Sequence, residues 1–264
     1  IKDNQGVQVE NPLIYQNGRY AIDFEDLERK AKDPANKLII LSNPHNPVGR
    51  CWTKEELTKI GRICIDNGVF VISDEIHMDL TMPGFTHTVF AGISDEFAQH
   101  SIVFTAPSKT LNLAGSQVSN IMIPNQALRE KSSEARGHAS LNALAYPACR
   151  IAYNECEGWL EELLALLNRN RLLVEDFIGK ELPKVKVIPL EATYLQWLDF
   201  SAFGLSAEEL EAFMTREAQL FIDEGYLFGE AGKGFERISL ACPTHVLEST
   251  LIRLKAALEK RGLL

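Results

Sequence analysis

The chain has 264 residues, 45% of them hydrophobic and 24% charged, an ordinary globular composition with room for one large domain or two unequal ones. Its formal net charge of −9 excludes the basic surface that nucleic acid or an anionic membrane would select, and small-molecule partners are favoured instead. Five cysteines, odd in number, scattered and without a C-x-x-C pair, signal neither a disulfide framework nor a zinc site, so a reducing cytoplasm is the expected setting.

No apolar run reaches the roughly 18 residues that a membrane span needs. The sequence opens IKDNQGVQVENP, without an initiator Met or a signal-peptide layout, and is expected to be a piece of something longer.

In chain order, the first expected strand is the apolar run Leu38 to Leu41. Thr53-Lys-Glu-Glu56 then forms a capping box, and Leu57, Ile60, Ile63 and Cys64 recur at helical spacing until Asn67-Gly68 stops the helix. Val69 to Ser73, continuous and β-branched, is a second strand covered on both faces, so the unit is β-α-β and the sheet parallel. A third run, Ser101 to Thr105, extends it. Val118 to Ile123 follows too closely for a crossover helix and is expected to pair antiparallel.

Residues 141 to 180 are mostly helical, with a bend predicted near Pro147. Beyond that the pattern changes: strands at Val185–Ile188, Tyr194–Leu198 and Arg237–Leu240, and helices at Ala207–Glu217, capped by Ser206 and Glu209, and at His245–Lys260. The expected organisation is a large α/β domain over 1–150, a linking long helix over 151–181, and a smaller α+β domain over 182–264.

Three polar clusters follow strands at their carboxyl ends: NPHNPVG (43–49), SDEIH (73–77) and TAPSKT (105–110). Ligands of open α/β sheets bind outside those ends, which would bring the clusters to one crevice. Each also has a bland reading, as turn chemistry, as an acidic helix start, or as a solvated lysine. Their joint order is harder to dismiss.

Together these stretches resemble a family, the pyridoxal-phosphate enzymes of the aspartate aminotransferase fold, class I/II (fold type I). SDEIHMD, APSKTLNLAG and GKGFERISLACP resemble the cystathionine β-lyase type of carbon-sulfur lyase. The resemblance runs from NPLIYQNGRYAIDFEDLE to the carboxyl terminus. It implies a three-layer, mostly parallel sheet, here incomplete, plus the smaller carboxyl-terminal domain.

It further implies that Asp74 pairs with the cofactor's ring nitrogen, that Asn46 holds the phenolic oxygen with His77 nearby, and that Lys109 binds the aldehyde and serves as general base. Ser108, and Thr105 beside it, would donate to the phosphate, and Arg237 would bind the substrate α-carboxylate from the small domain. The chain departs from the wider family in having Ala106 and Gln117 where a serine and an arginine commonly contact phosphate. The family's glycine-containing phosphate loop and ring-stacking aromatic fall before residue 1, so this chain alone is expected to show weak activity or none. A homodimer in the full-length protein is also implied.

The implied reaction is β-elimination at a carbon-sulfur bond of a cysteine-type amino acid, resting on subgroup resemblance and on His77 where many transaminases have tyrosine. Transamination by a class I/II aminotransferase is the alternative. Asp-Glu-Ile-His also resembles the DExH box of helicase-type NTPases, but no glycines precede Lys109 at phosphate-loop spacing. A divalent-metal hydrolase using Asp74, Glu75, His77 and Asp79 is more remote, because a turn would not aim all four inward and no second histidine is near; no metal is expected. His45, His87, His100, His138 and His245 read as structural or exposed, Trp52, Trp159 and Trp197 as packing, and Gly229, Gly232 and Gly234 as a bent approach to the strand of Arg237.

Overall fold

The structure is a computed structural model that describes residue 1, residues 5–136 and residues 140–264; His138 lies outside them. The chain divides into two compact units. Unit 1 comprises Ile1–Pro44, Trp52–Met78 and His87–Asn154, and unit 2 comprises His45–Cys51, Asp79–Thr86 and Glu155–Leu264.

Unit 1 begins with a hairpin, β1 (Ile14–Gln16) and β2 (Arg19–Ala21), followed by helix α1 (Phe24–Ala31). Then come β3 (Leu38–Ser42), α2 (Lys54–Asp66), β4 (Phe70–Asp74), α3 (Asp95–Gln99), β5 (Ser101–Thr105), α4 (Pro107–Thr110), β6 (Asn120–Met122), α5 (Gln126–Arg136) and α6 (Ala145–Glu155). Strands β3, β4 and β5 pair in parallel and β6 joins β5 antiparallel, as its short connection requires. The capping box of α2 is complete: Thr53 Oγ1 accepts from Glu56 N, and Glu56 Oε2 accepts from Thr53 N.

The helical repeat buries Leu57, Ile60, Gly61 and Cys64 on one face of α2, in a core with Leu41, Trp52, Val71, Phe90 and Phe97. Each fully buried Leu or Ile there contributes about 1.5–3 kcal/mol. Gly61 is where α2 meets α3: a Cβ added there would stand 2.2 Å from Phe97 Cε2. Gly61→Ala is therefore expected to destabilise by about 1–3 kcal/mol, despite alanine's better helix propensity, because the ring must be displaced. A urea midpoint equal to that of the parent would show that the ring swings aside without cost.

Unit 2 contains α7 (Glu157–Glu181), β7 (Lys186–Val187), β8 (Leu195–Asp199), α8 (Ala207–Ala212), β9 (Asp223–Glu224), β10 (Phe235–Ser239) and α9 (Thr244–Lys260). The strands form one antiparallel sheet in the order β7-β8-β10-β9. Leu167, Val174 and Ile178 of α7 share a core with Leu251, Leu254 and Leu258 of α9 and with Phe213 and Met214, in the π-helical turn Phe213–Glu217 that continues α8.

The bend expected at Pro147 is not there. Pro147 is the third residue of α6, in the first turn, where a missing N–H disrupts no helical bond, and the helices part at Cys156. Trp52 and Trp197 are buried, whereas Trp159 is 45% exposed and makes no such packing among the described residues. Gly225 and Gly232 let two loop backbones touch before β10: a Cβ on either would lie 2.0 Å from the other's carbonyl oxygen. Among the described residues no helix is long and apolar enough to cross a membrane.

Candidate active site

In unit 1 the site is built at the carboxyl ends of β4 and β5. Asp74 is the last residue of β4 and stands opposite Phe104 of β5. Its carbonyl accepts from Asn43 N at 2.9 Å and its Oδ1 accepts from Ile76 N at 3.2 Å. Burial pushes its carboxyl pKa up, and the neighbouring Glu75 charge adds to this, while the Ile76 N–H and the charge of Lys109 pull it down. Lys109 is thus close enough to act on Asp74, although the two are 35 positions apart in sequence.

Lys109 and Ser108 lie on α4, whose Pro107 opens the helix one residue after the buried Ala106, and both are partly buried. Neither side chain makes a hydrogen bond or ion pair among the described residues. His77, on the turn after β4, is 4% exposed. Thr105 ends β5, where its hydroxyl accepts from Asn120 Nδ2 at 3.3 Å.

Two further candidates belong to unit 2. Arg237 on β10 is directly opposite Asp223 on β9. Its Nε and Nη2 donate to Asp223 Oδ2 at 3.1 and 2.7 Å, and its Nη1 donates to Asn46 Oδ1 at 2.7 Å. The ring of Phe228 lies 4.5 Å from the guanidinium carbon. The structure therefore joins Asn46 to Arg237 across 191 positions of sequence.

Asp223 and Phe228, which orient the guanidinium, have no local signal in the sequence: Asp223 becomes a strand residue only by pairing with β10. The acidic cluster does not converge on a metal. Glu75 is directed to Ser73, His87 and Phe90, and among the described residues no group of three His, Cys, Asp or Glu is placed to hold an ion.

Comparison with known proteins gives the family. The family model "Aminotransferase class I and II" matches residues 1–254, and the chain belongs to that family. It is 47% identical over 251 residues to cystathionine beta-lyase PatB of Bacillus subtilis (strain 168), covering 94% of this chain and 65% of that protein. It is 30% identical over 253 residues to protein MalY of Escherichia coli (strain K12), covering 94% of this chain and 64% of that protein. The chain thus spans under two thirds of the length of these two relatives.

Among solved structures, cystalysin from Treponema denticola, whose crystal structure contains a pyridoxal 5'-phosphate cofactor, superposes with a TM-score of 0.96 at 45% identity. That match covers 99% of this chain and 67% of cystalysin. The fold class is accordingly that of these neighbours: α/β with a parallel-containing sheet, and a further antiparallel sheet with its helices.

Proposed function

We propose that the protein is a pyridoxal 5'-phosphate-dependent carbon-sulfur lyase that eliminates the sulfur substituent from the β-carbon of a cystathionine-type amino acid. The observation that carries the reading is Lys109: a partly buried amine without an ion-pair partner among the described residues, whose charge acts on the Asp74 carboxyl that burial has made harder to ionise. Such a carboxyl suits a cationic ring N–H, and such an amine suits an aldehyde, so the residues present fit the cofactor. When bound, pyridoxal phosphate supplies an electron sink for the pair left at the substrate α-carbon.

The chain's own groups do the rest. Asp74 holds the ring nitrogen protonated by charge pairing. By the resemblance Asn46, whose Oδ1 accepts from Arg237, would hold the phenolic oxygen, with His77 as a second residue assigned to that oxygen. Ser108 donates to the phosphate. Of the five guanidinium donors of Arg237, Asp223 and Asn46 engage three, which leaves one on each terminal nitrogen, a bidentate pair for the α-carboxylate.

Lys109 takes the α-proton, the Cβ–S bond breaks with its electron pair leaving on sulfur, and the thiolate takes up a proton. The remaining aminoacrylate adds water to give pyruvate and ammonia. Transamination uses the same residues and differs in where the proton is returned, and the family's own description favours it as the second reading. The same reading implies a cytoplasmic homodimer, and five unpaired cysteines are consistent with a reducing compartment.

Incubating the full-length protein with L-cystathionine is expected to release free thiol and pyruvate in equal amounts. A keto acid formed without free thiol would sink the lyase reading in favour of transamination.

A further inference from the structure

Directly after Asp74 lies a buried polar knot that the proposed reaction does not use. Glu75 is fully buried, and both of its oxygens are engaged. Oε1 accepts from Ser73 Oγ at 2.8 Å and from Phe90 N at 2.9 Å, while Oε2 lies 2.7 Å from His87 Nε2. The Glu75 backbone N–H donates to Phe104 O at 2.8 Å and carries the β4–β5 ladder one step past the strand.

Asn43 Nδ2 adds a bond of 3.0 Å to Thr88 O. Residues 87 to 90 are thus tied at three points to the carboxyl ends of β3 and β4. A buried carboxylate is tolerated only with such partners, since leaving one unpaired costs several kcal/mol.

The location matters because side chains alternate along a strand. Val71, Ser73 and Glu75 are fully buried, whereas Phe70, Ile72 and Asp74, on the other face, are partly exposed. A slip of one residue would exchange the two carboxyl groups. Ser73, His87 and Phe90 hold the Glu75 carboxyl on the buried side and so oppose that slip, while Asn43 N–H holds the Asp74 carbonyl. Among the described residues, the charged groups acting on Asp74 are Glu75 and Lys109.

The geometry points to Glu75 and His87 as positioning residues, a buried pair that keeps the Asp74 carboxyl on its own sheet face and at the depth where it can hold a ring nitrogen protonated. This rests on the cofactor reading above. A loop tether alone would stabilise the fold without touching the cofactor's protonation, and that difference can be measured.

The test uses the full-length protein reconstituted with pyridoxal phosphate, as parent and as Asp74→Asn, His87→Ala, His87→Gln and Ser73→Ala. It reads cofactor affinity, Tm and the pH midpoint of ring-nitrogen protonation, followed by NMR of nitrogen-15-labelled cofactor. Asp74→Asn removes the charge pair and should lower the midpoint by about 1–3 pH units. His87→Ala should lower it in the same direction by about half a unit or more, and His87→Gln, which keeps a donor, should recover most of that shift. Ser73→Ala removes one bond to Glu75, should give a smaller shift of the same sign, and decides the matter if His87→Ala does not fold.

If Asp74→Asn shifts the midpoint while His87→Ala and Ser73→Ala lower only Tm, the positioning role is overturned and the cofactor reading stands. A parent protein that binds no cofactor overturns both.

Discussion

Lys109→Ala is expected to lower turnover of L-cystathionine by about 10³-fold or more, because one amine serves both as anchor for the aldehyde and as general base at the α-carbon. The absorbance band that reports the covalently held cofactor should disappear with it. Loss of fold is not the expected cause. The side chain is only partly buried, alanine suits the helical backbone of α4, and the neighbouring anchors Pro107 and Thr110 are untouched. Circular dichroism and Tm of the variant should therefore match the parent.

Lys109→Arg separates charge from nucleophilicity: arginine keeps the positive charge near Asp74, but its guanidinium stays protonated and cannot serve as base. Its activity is expected to be as low as that of the alanine variant. A Lys109→Ala protein turning over within about tenfold of the parent would remove the amine from the chemistry, and with it the lyase and transaminase readings alike.

What could be read without coordinates was whatever local chemistry determines. Strands β3, β4 and β5 were legible as continuous apolar runs, although the expected cover on both faces is not found: Leu38 and Ile40 of β3 are exposed, and Phe70 and Ile72 of β4 are only partly buried; the ends of α2 are written in Thr53, Glu56 and Asn67-Gly68. The hairpin β1–β2 carried a signal too. Asn17-Gly18 takes positive φ at both residues, the turn chemistry that a two-residue hairpin demands, but its flanking strands are only three residues long. Strand β9 had none, being the two acidic residues Asp223 and Glu224, which become a strand only by pairing with β10.

The site divides in the same way. Asp74 and Lys109 stand in recognisable clusters at strand ends, and resemblance assigned their roles. Asn46 had a role by resemblance too, but not its bond to Arg237; the other partners that orient the site residues are remote from them in sequence: Asp223 around Arg237, and His87 and Phe90 around Glu75. Asp, Asn and His at such positions read as ordinary loop residues, because their function lies in which distant atom they meet.

Glu236, the neighbour of Arg237 on β10, is expected to make the stability of unit 2 fall as pH rises. It is 1% exposed, and its Oε2 has no hydrogen-bond partner among the described residues. Burial, with the charges of Glu224, Glu211 and Asp223 behind it, pushes its carboxyl up from 4.5 to about 8. Below 4.5 the group is protonated whether the chain is folded or not, and it has no effect. Between 4.5 and about 8 only the folded chain holds the proton, so stability drains away across that interval and the full penalty applies above it.

His45, in the same unit, acts with the opposite sign. Burial and the charge of Arg50 push its imidazole down from 6.5 to about 4, so folding is favoured as pH rises through that window. The two effects oppose each other up to 6.5, and above it His45 no longer contributes. Between pH 6.5 and 8 the parent should therefore lose about 2 kcal/mol through Glu236, at about 1.4 kcal/mol per pH unit.

Glu236→Gln keeps the shape of the neutral acid and removes the titration. In urea unfolding at these two pH values the variant should show a flat profile and, at pH 8, a higher midpoint than the parent. Parallel profiles for the two proteins would mean that the carboxyl at 236 ionises in the folded chain at little cost, with water or a rearranged partner reaching an oxygen that the structure leaves unpaired.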